Sequence, residues 1–139
     1  MSALRRVEAR PTWLLSRANA RSQGVLADAL SAEGVRGYHF RLLAALDEYG
    51  PSSQADLGRR TGIDRSDVVA TLNELVGREL ARREPDAADR RRNVVTLTTG
   101  GARVLDRLDA VVDDVQKAVL APLTQNERET FVRLLARLT

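Results

Sequence analysis

Apolar residues recur at helical spacing through most of this chain. Over residues 12–32, Leu14, Leu15, Ala18, Val25, Leu26, Ala29 and Leu30 form one stripe, and Gly34 and Gly37 punctuate its end. A second helix is expected from Val35 or Tyr38 to Tyr49, with Leu42, Leu43 and Leu46 on one face and Gly50-Pro51 as its stop. Ser52 or Ser53 suits the cap of a third helix, Gln54 to Thr61, because a serine hydroxyl accepts from first-turn amides. Gly62 then breaks the chain. Asp64 is placed to cap a fourth helix, Arg65 to about Arg78, with Val68, Leu72, Leu75 and Val76 inward.

The period then shortens to two. Leu80–Glu84 and Asn93–Thr98 read as strands joined by the charged turn Pro85–Arg92, a β-hairpin with a long tip. Gly100-Gly101 opens a long helix, Ala102 to Leu120. On it Leu105, Leu108, Val112, Val115 and Val119 follow the 3-4-3-4 spacing of a coiled-coil seam, widened by Val104 and Val111. Pro122 ends it. Thr124-Gln125-Asn126-Glu127 is a capping-box pattern for a last helix with Phe131, Leu134, Leu135 and Leu138 inward. The fold class expected is α+β, mainly α: four helices, a hairpin and two helices in a single domain, 1–139.

The terminal helices have little to pack against in a chain this short with a projecting hairpin. A second copy is the expected partner. Segments 1–34 and 101–139 would dimerise, through Leu105, Leu108, Val112, Val115, Val119, Phe131 and Leu135.

Composition narrows the chemistry. There are no cysteines among 139 residues, which removes disulfides, thiolate metal sites and thiol redox sensing together. No signal peptide and no run of about 18 apolar residues is visible, so a cytoplasmic protein with no membrane association is expected. The net charge of +3 is weak evidence for a polyanion partner. Lys117 is the only lysine among 22 basic residues. Arginine's planar fork suits phosphate and guanine edges, although a GC-rich genome explains most of such a bias.

Residues 53–76 carry the strongest signal. A helix-turn-helix needs a small residue on its first helix and a turn residue that tolerates positive φ. Gly58 and Gly62 stand at those places, and Leu57, Ile63, Val68 and Leu72 would fill the shared core. Arg65, Ser66, Val69, Ala70 and Asn73 would then face outward. A recognition helix reads bases from its N-terminal half. Arg65 suits a guanine, Asn73 a base or phosphate, and Val69 a thymine methyl. Ser66 sits where free amides favour phosphate. An ordinary solvated face is the plainer reading, but Val69 and Ala70 side by side argue against it.

The hairpin tip carries Arg90-Arg91-Arg92 beside Asp86 and Asp89. Alone, this is a soluble turn. Directly after a helix-turn-helix it reads as a wing, whose arginines can enter a narrow minor groove while the aspartates brace the loop.

The run Asp86-Ala87-Ala88-Asp89-Arg90-Arg91, followed by Val95-Thr96-Leu97-Thr98 and Gly100 or Gly101, resembles the wing of the MarR family of bacterial regulators. The resemblance extends over nearly the whole chain. It implies a winged helix-turn-helix lobe over 35–100 and a homodimer built from the first and last helices. It also implies repression at a pseudo-palindromic site on double-stranded DNA, relieved by a small aromatic or phenolic ligand. On this resemblance Arg90 is the candidate for the minor groove, and Asp89 with Arg91 or Arg92 for bracing and phosphate contact. Two departures stand out. Glu79 occupies the place where the family often has glycine; a left-handed cap there costs a non-glycine residue about 1 kcal/mol, so a different helix ending is expected. The recognition helix also lacks the arginine often seen near Ala70, which leaves the base contacts open.

Trp13, Tyr38, His39 and Phe40 are candidates for a ligand pocket between the dimer helices and the lobe, although aromatic residues at such spacing are more often core. His39, the only histidine, is in turn more often a packing or surface residue than a ligand or pH switch. With no cysteine, one histidine and no phosphate loop, neither an enzyme, a metal site nor a cofactor is expected. A winged helix that binds protein instead of DNA is the remaining class, and the arginine-rich tip counts against it.

Overall fold

The computed structural model describes residues 4–139. Its elements run α1 (Arg5–Glu8), α2 (Pro11–Ala32), α3 (Gly37–Tyr49), α4 (Gln54–Thr61), α5 (Arg65–Gly77), β1 (Ala81–Pro85), β2 (Asn93–Leu97), α6 (Thr99–Val119) and α7 (Gln125–Ala136). The architecture is mainly helical with one two-stranded sheet, the expected fold class. The short α1 was not expected.

Local chemistry sets the boundaries. Pro11 starts α2, where its missing N–H is harmless. Ser53 caps α4 by accepting from the Asp56 amide, Asp64 caps α5 through the Ser66 amide, and Thr124 caps α7 through the Glu127 amide. Gly62 takes the left-handed conformation (φ 70°) that turns α4 into α5. Gly58 stands at the crossing of α4 and α5, where a small residue was expected. An added Cβ would lie 3.6 Å from the Ile63 carbonyl oxygen and 3.9 Å from Val68 Cγ2, ordinary contact, so this crossing does not require glycine.

The C-terminus of α5 overturns the expectation about Glu79. Glu79 itself adopts φ 61°. Its amide donates to Val76 O (3.0 Å) and the Leu80 amide to Leu75 O (2.9 Å), the paired bonds of a Schellman cap. The helix ends as a glycine would end it, because the two recovered hydrogen bonds and the burial of Leu80 outweigh a conformational cost of about 1 kcal/mol.

β1 and β2 pair antiparallel with Ala81 opposite Leu97 and Pro85 opposite Asn93. Ser52 adds an isolated bridge from outside the hairpin: its amide and carbonyl exchange bonds of 3.1 and 2.8 Å with Val95. The hairpin is thereby stitched to the base of the helix-turn-helix. Thr98 closes the far end, donating its hydroxyl to Glu79 O and accepting from the Gly101 amide. This cap starts α6 at Thr99 and places Gly100 and Gly101 in its first turn, earlier than the expected Ala102. Gly101 lies so close to the Leu80 carbonyl that no side chain fits there.

The main core joins Leu30, Leu42, Leu43, Leu46, Leu57, Leu72, Leu75, Val95, Leu105 and Leu108. Burying each leucine contributes about 2 kcal/mol. This location corrects the seam. Leu105, Leu108 and Val115 are buried inside one chain, and Val112 and Val119 half-buried, because α2 lies along α6 and α3 packs beside it. Arg107–Glu33 and the bond from Arg21 to the Val119 carbonyl tie α2 to α6. The seam is therefore protomer core at Leu105, Leu108 and Val115. The inward assignment for α7 is also corrected: Phe131, Leu134 and Leu138 are exposed and Leu135 is half-buried.

Candidate nucleic-acid interface

The outward face of α5 forms as the periodicity predicts. Val68, Thr71, Leu72 and Leu75 are buried. Arg65, Ser66, Val69, Ala70 and Asn73 line one shallow open surface, with only Val69 half-buried. Beside it, a groove runs between α4, the start of α5 and the hairpin tip, and Gln54, Arg59, Arg65, Arg91 and Arg92 line it. The expected recognition helix and wing thus border one continuous basic face.

The tip is ordered by its aspartates. Asp86 accepts from the Ala88 amide (2.9 Å) and Asp89 from the Arg91 amide (3.1 Å). Asp89 also pairs with Arg91 Nε at 3.3 Å. The Asp86 amide donates to the Arg92 carbonyl and closes the loop. Asp89 and Arg91 therefore stand in the arrangement expected of a brace. Among the described residues, Arg65, Arg90 and Arg92 make no ion pair or side-chain hydrogen bond and are exposed, which leaves their guanidinium donors open to solvent.

Two outward residues are already engaged. The Ser66 hydroxyl donates to Asp64 Oδ2 (2.6 Å), and these bonds hold the Asp64 carboxyl below its usual range. Ser66 is a helix-start clamp beside a carboxylate, and its hydroxyl has no proton left for a phosphate. Asn73 Oδ1 accepts from Arg83 Nη2 at 2.7 Å, and the same nitrogen reaches Gln54 Oε1 at 3.3 Å. Arg83, on β1, thus joins the first helix of the pair, the recognition helix and the wing.

On the opposite side Glu74 anchors α5 to α3. Its Oε2 accepts from Arg36 Nη2 (2.8 Å) and from His39 Nε2 (2.6 Å). His39 Nδ1 accepts from the Arg36 amide (2.9 Å), so the neutral ring carries its proton on Nε2. His39 is 2% exposed. Burial lowers its pKa, the Glu74 hydrogen bond works against that, and Arg36 adds to the lowering. The Arg36 and His39 bonds hold the Glu74 carboxyl below its ordinary value.

Within the protomer the four candidate pocket residues have separate surroundings. His39 is enclosed and committed to Glu74, Tyr38 is exposed under Arg41, Trp13 lies under Arg17, and Phe40 packs on the core. Consecutive positions on α3 project about 100° apart, so residues 38–40 cannot share one wall. A different apolar cleft exists, lined by Leu15, Ala18, Val119, Leu123, Phe131, Val132 and Leu135 between α2, the end of α6 and α7. Among the described residues no three His, Cys, Asp or Glu are grouped to hold a metal ion, and no helix is long and apolar enough to cross a membrane.

Sequence reasoning missed Arg83, Gln54 and Arg59. Gln54 and Arg59 carried a usable signal, since both lie on the polar side of a helix whose buried residue is Leu57. Arg83 carried none, because its partners are 10 and 29 residues away.

The comparisons agree with this geometry. A family profile described as MarR family matches residues 33–92. The Pseudomonas putida HTH-type transcriptional repressor NicR is 30% identical over 125 residues, 90% of this chain and 79% of that protein. Bordetella bronchiseptica BpsR, whose DNA binding is regulated by 6-hydroxynicotinic acid, superposes with TM-score 0.82 at 27% identity, covering 94% of each chain. A Mycobacterium tuberculosis MarR-family protein in complex with DNA superposes with TM-score 0.81 at 27% identity, covering 93% of this chain and 97% of that one.

Proposed function

This chain belongs to the MarR family, and from that premise we propose that it is a repressor that binds a pseudo-palindromic operator as a homodimer in the cytoplasm. The observation that carries the reading is the continuous basic face. Arg65, Val69, Ala70 and Asn73 present base-reading groups on one helix. Arg90 and Arg92, whose side chains have no partner among the described residues, stand on a tip ordered by Asp86 and Asp89. An α-helix fits the major groove, and a projecting arginine fits the narrow minor groove beside it.

The dimer is supported by the terminal helices. α7 has no buried residue, and Leu14, Leu15, Phe131, Val132 and Leu134 are all at least 38% exposed. A two-fold pair would cover these groups and set two recognition helices one DNA turn apart. Regulation by a small aromatic ligand, with 6-hydroxynicotinic acid as the first compound to try, is supported by BpsR.

Fluorescence anisotropy on the DNA upstream of the chain's own gene, against a scrambled duplex and a salt series, tests the reading. Tight binding to the native duplex, falling steeply with salt, is expected. Equal weak binding to both duplexes would replace it with a non-specific DNA binder, and no binding at low salt with a protein-interaction module.

A further inference from the structure

We propose that Arg83 is a positioning residue that makes Asn73 a donor-only reader, so that Asn73 selects guanine over adenine at one operator base pair. The proposal deepens, and rests on, the DNA-binding reading above. An asparagine reads adenine by using both ends of its amide: the oxygen accepts from the N6 amino group while the NH2 donates to N7. That requires a free oxygen. Here Asn73 Oδ1 accepts from Arg83 Nη2 at 2.7 Å. A guanidinium carries only donors, so the oxygen, and not the NH2, must face it. The orientation is decided by chemistry.

The same Nη2 supplies Gln54 Oε1 at 3.3 Å. One nitrogen with two hydrogens therefore holds two amide oxygens, one on α4 and one on α5. Both amides then turn their NH2 ends away from the cation. Asn73 is exposed on the recognition surface with Arg65, Val69 and Ala70, and Gln54 lines the adjoining groove. A guanine edge offers two neighbouring acceptors, O6 and N7, to such a group. An adenine offers one acceptor and then an amino donor, which would meet an occupied oxygen beside a positive charge. The anchor is stiff: Arg83 is half-buried on β1, opposite Val95, which is itself bridged to Ser52.

The test uses the full chain and a panel of operator duplexes carrying each base pair at each position. Asn73→Ala locates the base pair, where discrimination should flatten. The wild type should prefer guanine to adenine there by about fivefold or more. Arg83→Met keeps the side-chain stem and frees the Asn73 oxygen, so the preference should move to adenine. Arg83→Lys, another donor-only cation, should restore guanine. A merely structural role for Arg83 would lower affinity for all duplexes alike and leave the preference unmoved, and that result overturns the proposal. So does a wild type that prefers adenine at the position Asn73→Ala flattens, or an Asn73→Ala that flattens none. In each of these cases the wild type still separates native from scrambled DNA. A wild type that fails to do so removes the DNA-binding reading and this proposal with it.

Discussion

The winged lobe and the terminal helices of this chain are built to opposite standards. In the lobe, residues from α3, α4, α5 and both strands bury their apolar faces against one another, and buried polar groups are paired: His39 with Glu74, Ser52 with Gly50 O and Arg60. The lobe's exposed face is polar and basic. At the other end, α7 buries nothing completely and Phe131, Val132, Leu134 and Leu138 stay open to solvent. A large exposed apolar patch marks an interaction surface, whereas an exposed arginine face marks a polyanion surface. The lobe is complete in one chain; the helical end asks for a second.

Substitutions can break that contrast at either end, and the largest effect belongs to the lobe. Gly101→Ala would drive a methyl into the Leu80 carbonyl, with Leu97 Cδ1 only 2.7 Å away. A loss of about 3 kcal/mol or more in urea unfolding is expected. Gly58→Ala, by contrast, should be neutral or stabilising by up to about 1 kcal/mol, since its site has room and alanine favours helix.

At the helical end, Leu135→Asp should shift sedimentation at micromolar concentration toward the 15.3 kDa protomer while circular dichroism keeps the lobe's signature. A buried carboxylate there should weaken self-association about 100-fold. A wild type that already sediments as the protomer would sink the dimer. On the basic face, Arg90→Ala should weaken every operator about tenfold, most at A·T-rich flanks, and lower the salt slope by about one. Unchanged affinity would remove the wing from the mechanism.

Two smaller effects sharpen the account of the lobe. Glu79→Gly should stabilise it by about 1 kcal/mol, because glycine takes φ 61° without strain. Acid should weaken it through His39. Its folded pKa lies below the ordinary value of about 6.5. As pH falls from there toward the folded pKa, the unfolded chain takes up a proton that the folded chain refuses. Glu74, also lowered, keeps its contribution above the ordinary glutamate range and loses it as pH falls through its own folded pKa. Thermal melts from pH 7.5 to 5 should show a falling Tm, and His39→Gln should flatten the part just below pH 6.5. A wild-type Tm independent of pH over that range would refute the buried neutral histidine.

Most elements were legible because their causes are local. The caps at Ser53, Asp64 and Thr124, the turn at Gly62, the stripe Val68-Leu72-Leu75 and the change to period two each depend on residues within a few positions. The outward set on α5 followed from the same stripe. A brace from Asp89 to Arg91 or Arg92 was legible too, and the structure places the ion pair at Arg91, two residues away.

What failed was long-range. A 3-4-3-4 seam states that one face of a helix will be buried and is silent on what buries it. α2, some 80 residues earlier, packs along the helix that carries Leu105 and Leu108, and of the residues expected at a dimer surface only Phe131 stays exposed, with Leu135 half-buried beside it. Likewise an asparagine on an outward face has both ends of its amide free until an arginine from β1 takes its oxygen. The chain alone determined the order of the main helices and strands, most of their boundaries and the apolar stripe on each, because periodicity, capping and turn chemistry act over a few residues. Only the tertiary structure decided which apolar face finds its cover within the protomer and which end of a polar side chain remains free, because both depend on partners that folding brings from distant parts of the chain.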